Sequence, residues 1–437
     1  MALGGGTFIT QNKTLPGAYI NYVSAGNNVT MGERGTAAIA LPLNWGKTGE
    51  FITIDSADYT AKAAEILGYE RTDKALLLVG ECMKRAKKLL LWRLDGGENA
   101  TATVGDLTVT AICSGTRGND ISVAVYANTD STFDVVTYLD GIEYDRQTVK
   151  TAGELKKNSF VSFSGENITA AAAVKLAGGS NGTVTGKNYS DFLAAAEKET
   201  FSVIGCTAQD KDTKALYAEF TKRLRDDEGK KIVCVMGDYA GDYEGIISVK
   251  NGVVLENGET LDKYGAVCWV TGASAAAEVN ESLTNAAYDG AVGVDVKYTK
   301  SDYEKALKDG EFVFYDDGGK ARVLADINTL VTFTPAKNSD FTENRCVRAL
   351  DGWANDVAAL FSKSYLGTVT NSDTGRSLFK SDIVTLGRQY EEIDAISDFS
   401  PDDITVVQGA GKRDVRVDMS IKPNGSMEKL YMTVQVN

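Results

Sequence analysis

An α/β and α+β multidomain chain, with a mixed sheet core, a β-rich inserted domain and extended N- and C-terminal arms, follows from three features of the sequence. Apolar strand-like runs alternate with helical stretches over residues 29–95 and again over 186–334. Between them, residues 96–185 break into short alternating strands punctuated by glycine and aspartate. The two extremities carry apolar side chains without a helical period and with nothing obvious nearby to pack on.

Residues 1–28 begin with glycines and continue as "FITQNKTLPGAYINYVSAG". Phe8, Ile9, Tyr19, Ile20 and Tyr22 lie along a segment interrupted by Pro16-Gly17, which reads as an extended arm. In residues 29–95, "TAAIALPL" and "EFITID" predict strands and "SADYTAKAAEILGY" a helix with a Ser or Asp cap. "KALLLVGECMKRAKKLLLWRL" predicts a helix followed by an apolar strand. The insertion 96–185 contains "ATATVGDLTVTAICSG", "NDISVAVYAN", "FDVVTYLDG" and "IEYDRQTVK", and a Gly/Ser/Asn linker closes it. In residues 186–334, "FSVIGC", "KIVCVMG" and "GAVCWVTG" predict strands buried on both faces. "TKALYAEFTKRLRDDEG" and "SAAAEVNESLTNAAY" predict helices between them, so the sheet is expected to be largely parallel. "EFVFYDDGGKARVLAD" predicts a hairpin.

Residues 335–437 are expected to hold two helices and a terminal ribbon. Val347, Leu350, Ala354, Val357 and Phe361 step along one apolar stripe, and a second helix spans roughly 374–397. In the ribbon, Val415, Val417, Met419 and Ile421 are apolar, and after Pro423-Asn424-Gly425-Ser426 the parity moves to Leu430, Met432, Val434 and Val436. An Asn-Gly hairpin would set Met419 against Leu430, Val417 against Met432 and Val415 against Val434. An isolated two-stranded ribbon is marginal in water. The final strand therefore leans either on its own chain or on another copy, and a private hairpin whose free edge accepts residues 8–23 of a neighbour satisfies both.

Composition narrows the function. With 46 basic and 60 acidic residues the net charge is −14, distributed as +2, −4, −9 and −3 over residues 1–95, 96–185, 186–334 and 335–437. An acidic chain repels phosphate backbones, so no nucleic-acid partner is expected. The run "KRAKK" at 84–88 is the local exception, read as a wet helix face or a patch that meets an acidic neighbour. No apolar run approaches the ~20 residues of a membrane span, and no secretory signal is visible, so direct membrane insertion is not expected. The six cysteines lie in apolar contexts without a C-x-x-C pair and read as buried, reduced thiols of a cytoplasmically made protein.

The chain has no histidine. That removes the commonest general base, the commonest zinc ligand and every Ser-His-Asp or Cys-His arrangement. There is no G-x-S-x-G elbow and no Walker loop, and "VMGDYAGDYEG" lacks dinucleotide-loop spacing. The acidic clusters Asp226-Asp227-Glu228, Asp316-Asp317 and Asp402-Asp403 match no calcium-loop spacing. No catalytic residue, cofactor or metal is expected.

Several stretches, in order along nearly the whole chain, together resemble the contractile tail sheath family of bacteriophages, including R-type bacteriocin and Gram-positive prophage sheaths. They are "LPGAYINYVSA", "ERGTAAIALPLNWG", "LLLWRLDGG", "GTRGNDISV", "NESLTNAAYDGA", "DINTLVTFTP", "ENRCVRALDGWANDVAALFSKSYLG" and "VDMSIKPNGSMEKLYMTVQV". The resemblance implies a virion or bacteriocin structural protein, a homo-oligomer stacked as hexameric rings around a tail tube. It also implies baseplate and tail terminator proteins as partners, assembly in the host bacterial cytoplasm, and contraction that drives the tube through the target envelope. Residues 96–185 would be the protruding outer domain and 335–437 the inner layer. Arms at both ends would reach neighbouring subunits, which makes Phe8, Ile9, Tyr19, Ile20, Tyr22, Val415, Val417, Met419, Leu430, Met432, Val434 and Val436 the candidate interaction residues. A surface-layer protein would need an export signal, and an α/β enzyme with an accessory β domain would need a competent acid/base or cofactor site.

Overall fold

The computed structural model describes residues 29–436, together with the backbone of Gly4–Gly6 and Gly17–Tyr19, which pair in parallel. The two short stretches are thus partners for each other, nearer in sequence than an arm without a local mate implies. Contacts group the chain into two units. One holds Gly32–Asn355, Ile393–Ser397 and the chain from Lys422 on; the other holds Asp356–Glu392 and Asp398–Ile421.

The first unit is organised by seven strands: β1 (Thr36–Leu41), β2 (Phe51–Asp55), β3 (Lys88–Arg93), β4 (Val203–Cys206), β5 (Val233–Gly237), β6 (Ile246–Val249) and β7 (Glu311–Phe312). Their order in the sheet is β7-β6-β5-β4-β1-β3-β2, and every neighbouring pair is parallel except β2 with β3. Helices α1 (Ser56–Leu67), α2 (Leu77–Met83), α3 (Gly186–Ala196), α4 (Lys211–Lys222), α5 (Lys263–Ala276) and α6 (Lys300–Lys308) complete it. The two-residue period of the strands splits the core in two. Ile39, Leu91 and Val235 pack with Val79 of α2 and Trp269 of α5, whereas Ala38, Leu90 and Ile204 pack with Phe192 of α3 and Tyr217 of α4.

Two expectations fail here. "GAVCWVTG" is not a strand but the heart of α5, where every residue from Gly265 to Ala275 is buried. A helix buried on all sides and a doubly buried strand are both short apolar runs, so periodicity does not separate them. The Asp262 side chain accepts a hydrogen bond from Gly265 N and starts the helix, and Gly272 lets it lie close to α2. A Cβ at Gly272 would sit 2.1 Å from the Cys82 carbonyl oxygen. Beyond Ala276 the expected helix over 274–288 gives way to irregular chain, because Leu283 N is held by Asp326 Oδ2 at 2.9 Å.

The insertion forms two sheets around one core. Strands Ile142–Val149, Phe133–Leu139, Ile121–Ala127 and Ala171–Lys175 make one sheet, and Val161–Ser164, Leu107–Ser114 and Asn99–Val104 the other. Val109, Ala111, Ile121, Val123, Val135 and Phe160 fill the space between them. The hairpin expected near Asp316 is present, pairing Phe314–Asp316 with Ala321–Val323.

Helix α7 (Asn344–Leu360) ends in a π turn at Phe361–Tyr365, and α8 (Asp373–Glu392) follows. Four short strands remain: β8 (Ile396–Ser397), β9 (Ile404–Gln408), β10 (Val415–Met419) and β11 (Lys422–Pro423). In the second unit Tyr365 donates to Asp382 at 2.5 Å and Tyr390 to Asp356 at 2.7 Å, fixing α8. Among the described residues no helix is long and apolar enough to cross a membrane.

Candidate assembly interface

Strand β10 pairs with β9, not with the tail. Ile404 lies opposite Met419, Val406 opposite Val417 and Gln408 opposite Val415. The register that set Val417 against Met432 is therefore not formed. The connection from β9 to β10 is short and self-supporting, since Asp414 takes the N–H groups of Gly411 and Gly409 at 2.8 and 2.7 Å. Short closures cost less chain entropy than long ones. Downstream, Lys422-Pro423 pairs with β8, and the Asn424 side chain donates to Asp394 O at 3.1 Å. Pro423 and Asn424, at the start of the expected turn, are thereby engaged elsewhere.

The β9–β10 pair has no third strand among the described residues, so each strand has a free edge. Val415, Val417 and Met419 are half-buried on one face, and Arg416 and Asp418 are exposed on the other. Beside Val415 lies a cavity of about 380 Å³ lined by Phe361, Tyr365, Leu366, Val369 and Phe379. Residues 424–436 have no regular structure, and the apolar side chains toward their end stand in solvent: Leu430 is 85% exposed, Met432 74%, Val434 69% and Val436 91%. Isolated exposed apolar residues are ordinary, but an alternating row of them marks a contact surface. Phe8, Ile9, Ile20 and Tyr22 lie outside the described residues, and of Tyr19 only the backbone is described.

Several quoted stretches meet in buried polar networks. Arg93, fully buried at the end of β3, donates to the carbonyls of Gly46, Ser114 and Gly96 and pairs with Asp95, whose Oδ1 accepts Leu43 N. Arg117 pairs with Asp140 at 2.7 Å, donates to Gly68 O and lies 4.2 Å over the Tyr69 ring. These two arginines lock the insertion to the core sheet. Asp326 accepts from Leu283 N, Asn344 Nδ2 and Arg348, drawing "NESL", "DINTL" and "ENRCVR" together. Arg225 and Asp351 form a further buried pair at 2.5 Å, which sequence reasoning missed. The available signal was an arginine or aspartate inside an otherwise buried period, which burial permits only with a partner.

The basic run at 84–88 finds its acidic neighbours within the chain. Lys84 bonds Glu81, Arg85 bonds Asp289 and Lys87 bonds Glu278. All six cysteines are buried, and burial pushes the thiols of Cys82, Cys206 and Cys346 up to about 12. The acidic pairs serve local structure: Asp226 accepts from Tyr243, Asp316 from Gly319 N, and Asp403 completes a capping box with Ser400. Among the described residues no three His, Cys, Asp or Glu side chains gather as metal ligands would.

Four family models match in succession. They are the tail sheath protein Gp18 domain III N-terminal region at 34–94, the phage tail sheath protein beta-sandwich domain at 95–181, the phage tail sheath protein central domain at 182–329 and the phage tail sheath C-terminal domain at 336–437. The phage-like element PBSX protein XkdK of Bacillus subtilis is 37% identical over all of both chains. This chain belongs to the phage tail sheath family. A sheath tail protein from Desulfitobacterium hafniense is 44% identical and superposes with a TM-score of 0.86, covering 96% of this chain and 100% of its own. The anti-feeding prophage helical sheath in its contracted state is 11% identical with a TM-score of 0.58, over 97% of this chain and 100% of its own. That likeness is one of fold. By family and by fold this chain is a structural sheath protein.

Proposed function

We propose that this sheath protein is a non-enzymatic subunit that polymerises as stacked hexameric rings around a tail tube and contracts to drive that tube through a target envelope. In this reading it assembles in the host cytoplasm with tube, baseplate and terminator proteins and ends in a virion tail or bacteriocin particle. The observation that carries it is the pairing of an unfinished sheet with an unused strand: β9–β10 has open edges, and residues 430–436 offer alternating apolar side chains to solvent. Strand addition supplies main-chain hydrogen bonds for affinity and alternate side chains for specificity.

Magnitudes explain why many copies are needed. Each hydrogen bond of an added strand contributes about 0.5–1.5 kcal/mol net. Ordering the arm costs about 1–2 kcal/mol per residue. One exchange is therefore marginal, while many exchanges in a ring act through effective concentration. Two stable packings of one rigid subunit, joined by flexible strands, provide the bistability that contraction needs.

Val417→Asp and Met432→Asp test the reading together. Each is expected to leave the soluble subunit's melting temperature within a few degrees of wild type and to abolish hollow ridged cylinders in negative-stain micrographs. Cylinders formed normally by both variants would overturn it.

A further inference from the structure

The exposed apolar row does not begin where regular structure stops. Between β11 and Lys429 the chain is held on its own subunit by a set of contacts that form no strand or helix. Arg345, in the first turn of α7, donates from Nη1 to Gly425 O at 2.9 Å and to Ser426 Oγ at 3.3 Å. Its Nη2 donates to Asp394 O at 3.1 Å, the same carbonyl that receives the Asn424 side chain at 3.1 Å. Asn424 N donates to Ala395 O at 3.0 Å. Further along, Thr284 Oγ1 donates to Glu428 Oε1 at 2.8 Å. Gly425 is seated so closely that a Cβ would lie 3.2 Å from Glu343 Oε2.

We infer that Arg345 is a positioning residue that clamps residues 424–428 to the parent subunit and fixes where the exchanged strand leaves it. The inference rests on the reading that residues 430–436 cross to a neighbour, and adds how the crossing is aimed. A planar guanidinium suits this task, since its rigid fork holds a turn carbonyl and the tail in one fixed geometry, whereas an ammonium's donors sit on a flexible stem. Nine residues of sequence, 429–437, follow the clamp. At about 3.3 Å per residue they span at most roughly 30 Å, so the accepting edge lies within that radius of Glu428. An unclamped tail would search a larger volume and dilute its effective concentration at that edge.

The test compares Arg345→Ala, Arg345→Lys and a deletion of everything after Lys429 with wild type. In the soluble Arg345→Ala subunit, amide exchange at Asn424 should quicken at least tenfold with α7 and the core sheet unchanged, and cylinder yield should fall at least tenfold. Arg345→Lys should fall between. Gly425→Val, which pushes the tail off Glu343 from the solvent side, should reproduce the assembly loss if Arg345→Ala lowers the subunit's melting temperature. Wild-type yield from Arg345→Ala, or from Gly425→Val where that variant decides, overturns the clamp. If the deletion variant itself builds cylinders, strand crossing fails instead. A deletion that blocks assembly beside a fully competent Arg345→Ala removes the clamp alone.

Discussion

Strands β1 and β10 are similar in length, six residues and five, yet they live in opposite circumstances. In β1 all residues after Thr36 are buried, with strands paired on both edges and helices over both faces. In β10 no residue is buried, and only one edge is paired. The core sheet takes its stability from its own chain. The β9–β10 pair takes what it can from α8, with Ile404 only 1% exposed, and leaves the remainder open. For the assembly proposed above, a subunit does not need every sheet to be complete; it needs a body that stays folded while its open strand edges are free to meet copies.

The sharpest way to break the contrast is to damage the body. Trp269 in α5 is fully buried, stacks on Tyr288 at 4.5 Å, meets Phe314 edge-on and donates from Nε1 to Asp289 at 2.9 Å. Trp269→Ala should cost about 5 kcal/mol, the upper end for such truncations, and abolish soluble expression together with assembly. Urea unfolding of whatever soluble protein remains measures it. Next, Asp351→Ala strands the Arg225 guanidinium, whose terminal nitrogens otherwise hold Asp351 at 2.5 and 2.9 Å. Breaking a buried pair from one side should cost about 3 kcal/mol. A shift of the urea midpoint without a change in slope would match that loss. Both variants lose stability and assembly in parallel, whereas Val417→Asp should separate them.

The smallest effect concerns the tail root. Half-burial, and then the nearby Glu428 carboxylate, raise the Glu343 carboxyl above its usual range. An acid raised in the folded state destabilises it increasingly as pH climbs from the unfolded carboxylate value through the raised one, and the penalty vanishes below both. Acidification into the carboxylate range should therefore relieve that penalty, and Glu343→Gln should remove the dependence. The groups facing Glu343 are Asp340, Arg345, Cys346 and Glu428. The expected difference is about 1 °C in the melting temperature's response to pH, measured by calorimetry.

What the sequence revealed and what it hid have physical reasons. "TAAIALPL", "FSVIGC" and "KIVCVMG" were legible as β1, β4 and β5 because β-rich apolar runs bounded by turn residues have few alternatives. "GAVCWVTG" was not, because α5 is buried all round and shows no polar stripe to reveal its turn. The Asn424-Gly425 signal was local and correct in chemistry, yet Arg345, eighty positions away, claims that backbone. Alternation at Val415, Val417 and Met419 was readable from spacing alone, but the identity of their partner strand, Ile404–Gln408, was not, since register depends on which closure is cheapest. The pairs of Arg117 and Arg225 were missed because Asp140 and Asp351 lie 23 and 126 positions away; Asp95 stands only two residues from Arg93, and there it was the burial of the strand end that the sequence did not reveal.

A lattice that repeats one molecule many times also repeats every chemically vulnerable atom on its surface. The six interior sulfurs, none paired and three with acidities suppressed to about 12, offer an oxidant almost no thiolate to attack. In the assembly proposed above, neighbouring copies consequently cannot be welded by chance disulfides, and the rearrangement that contraction would require is left unhindered.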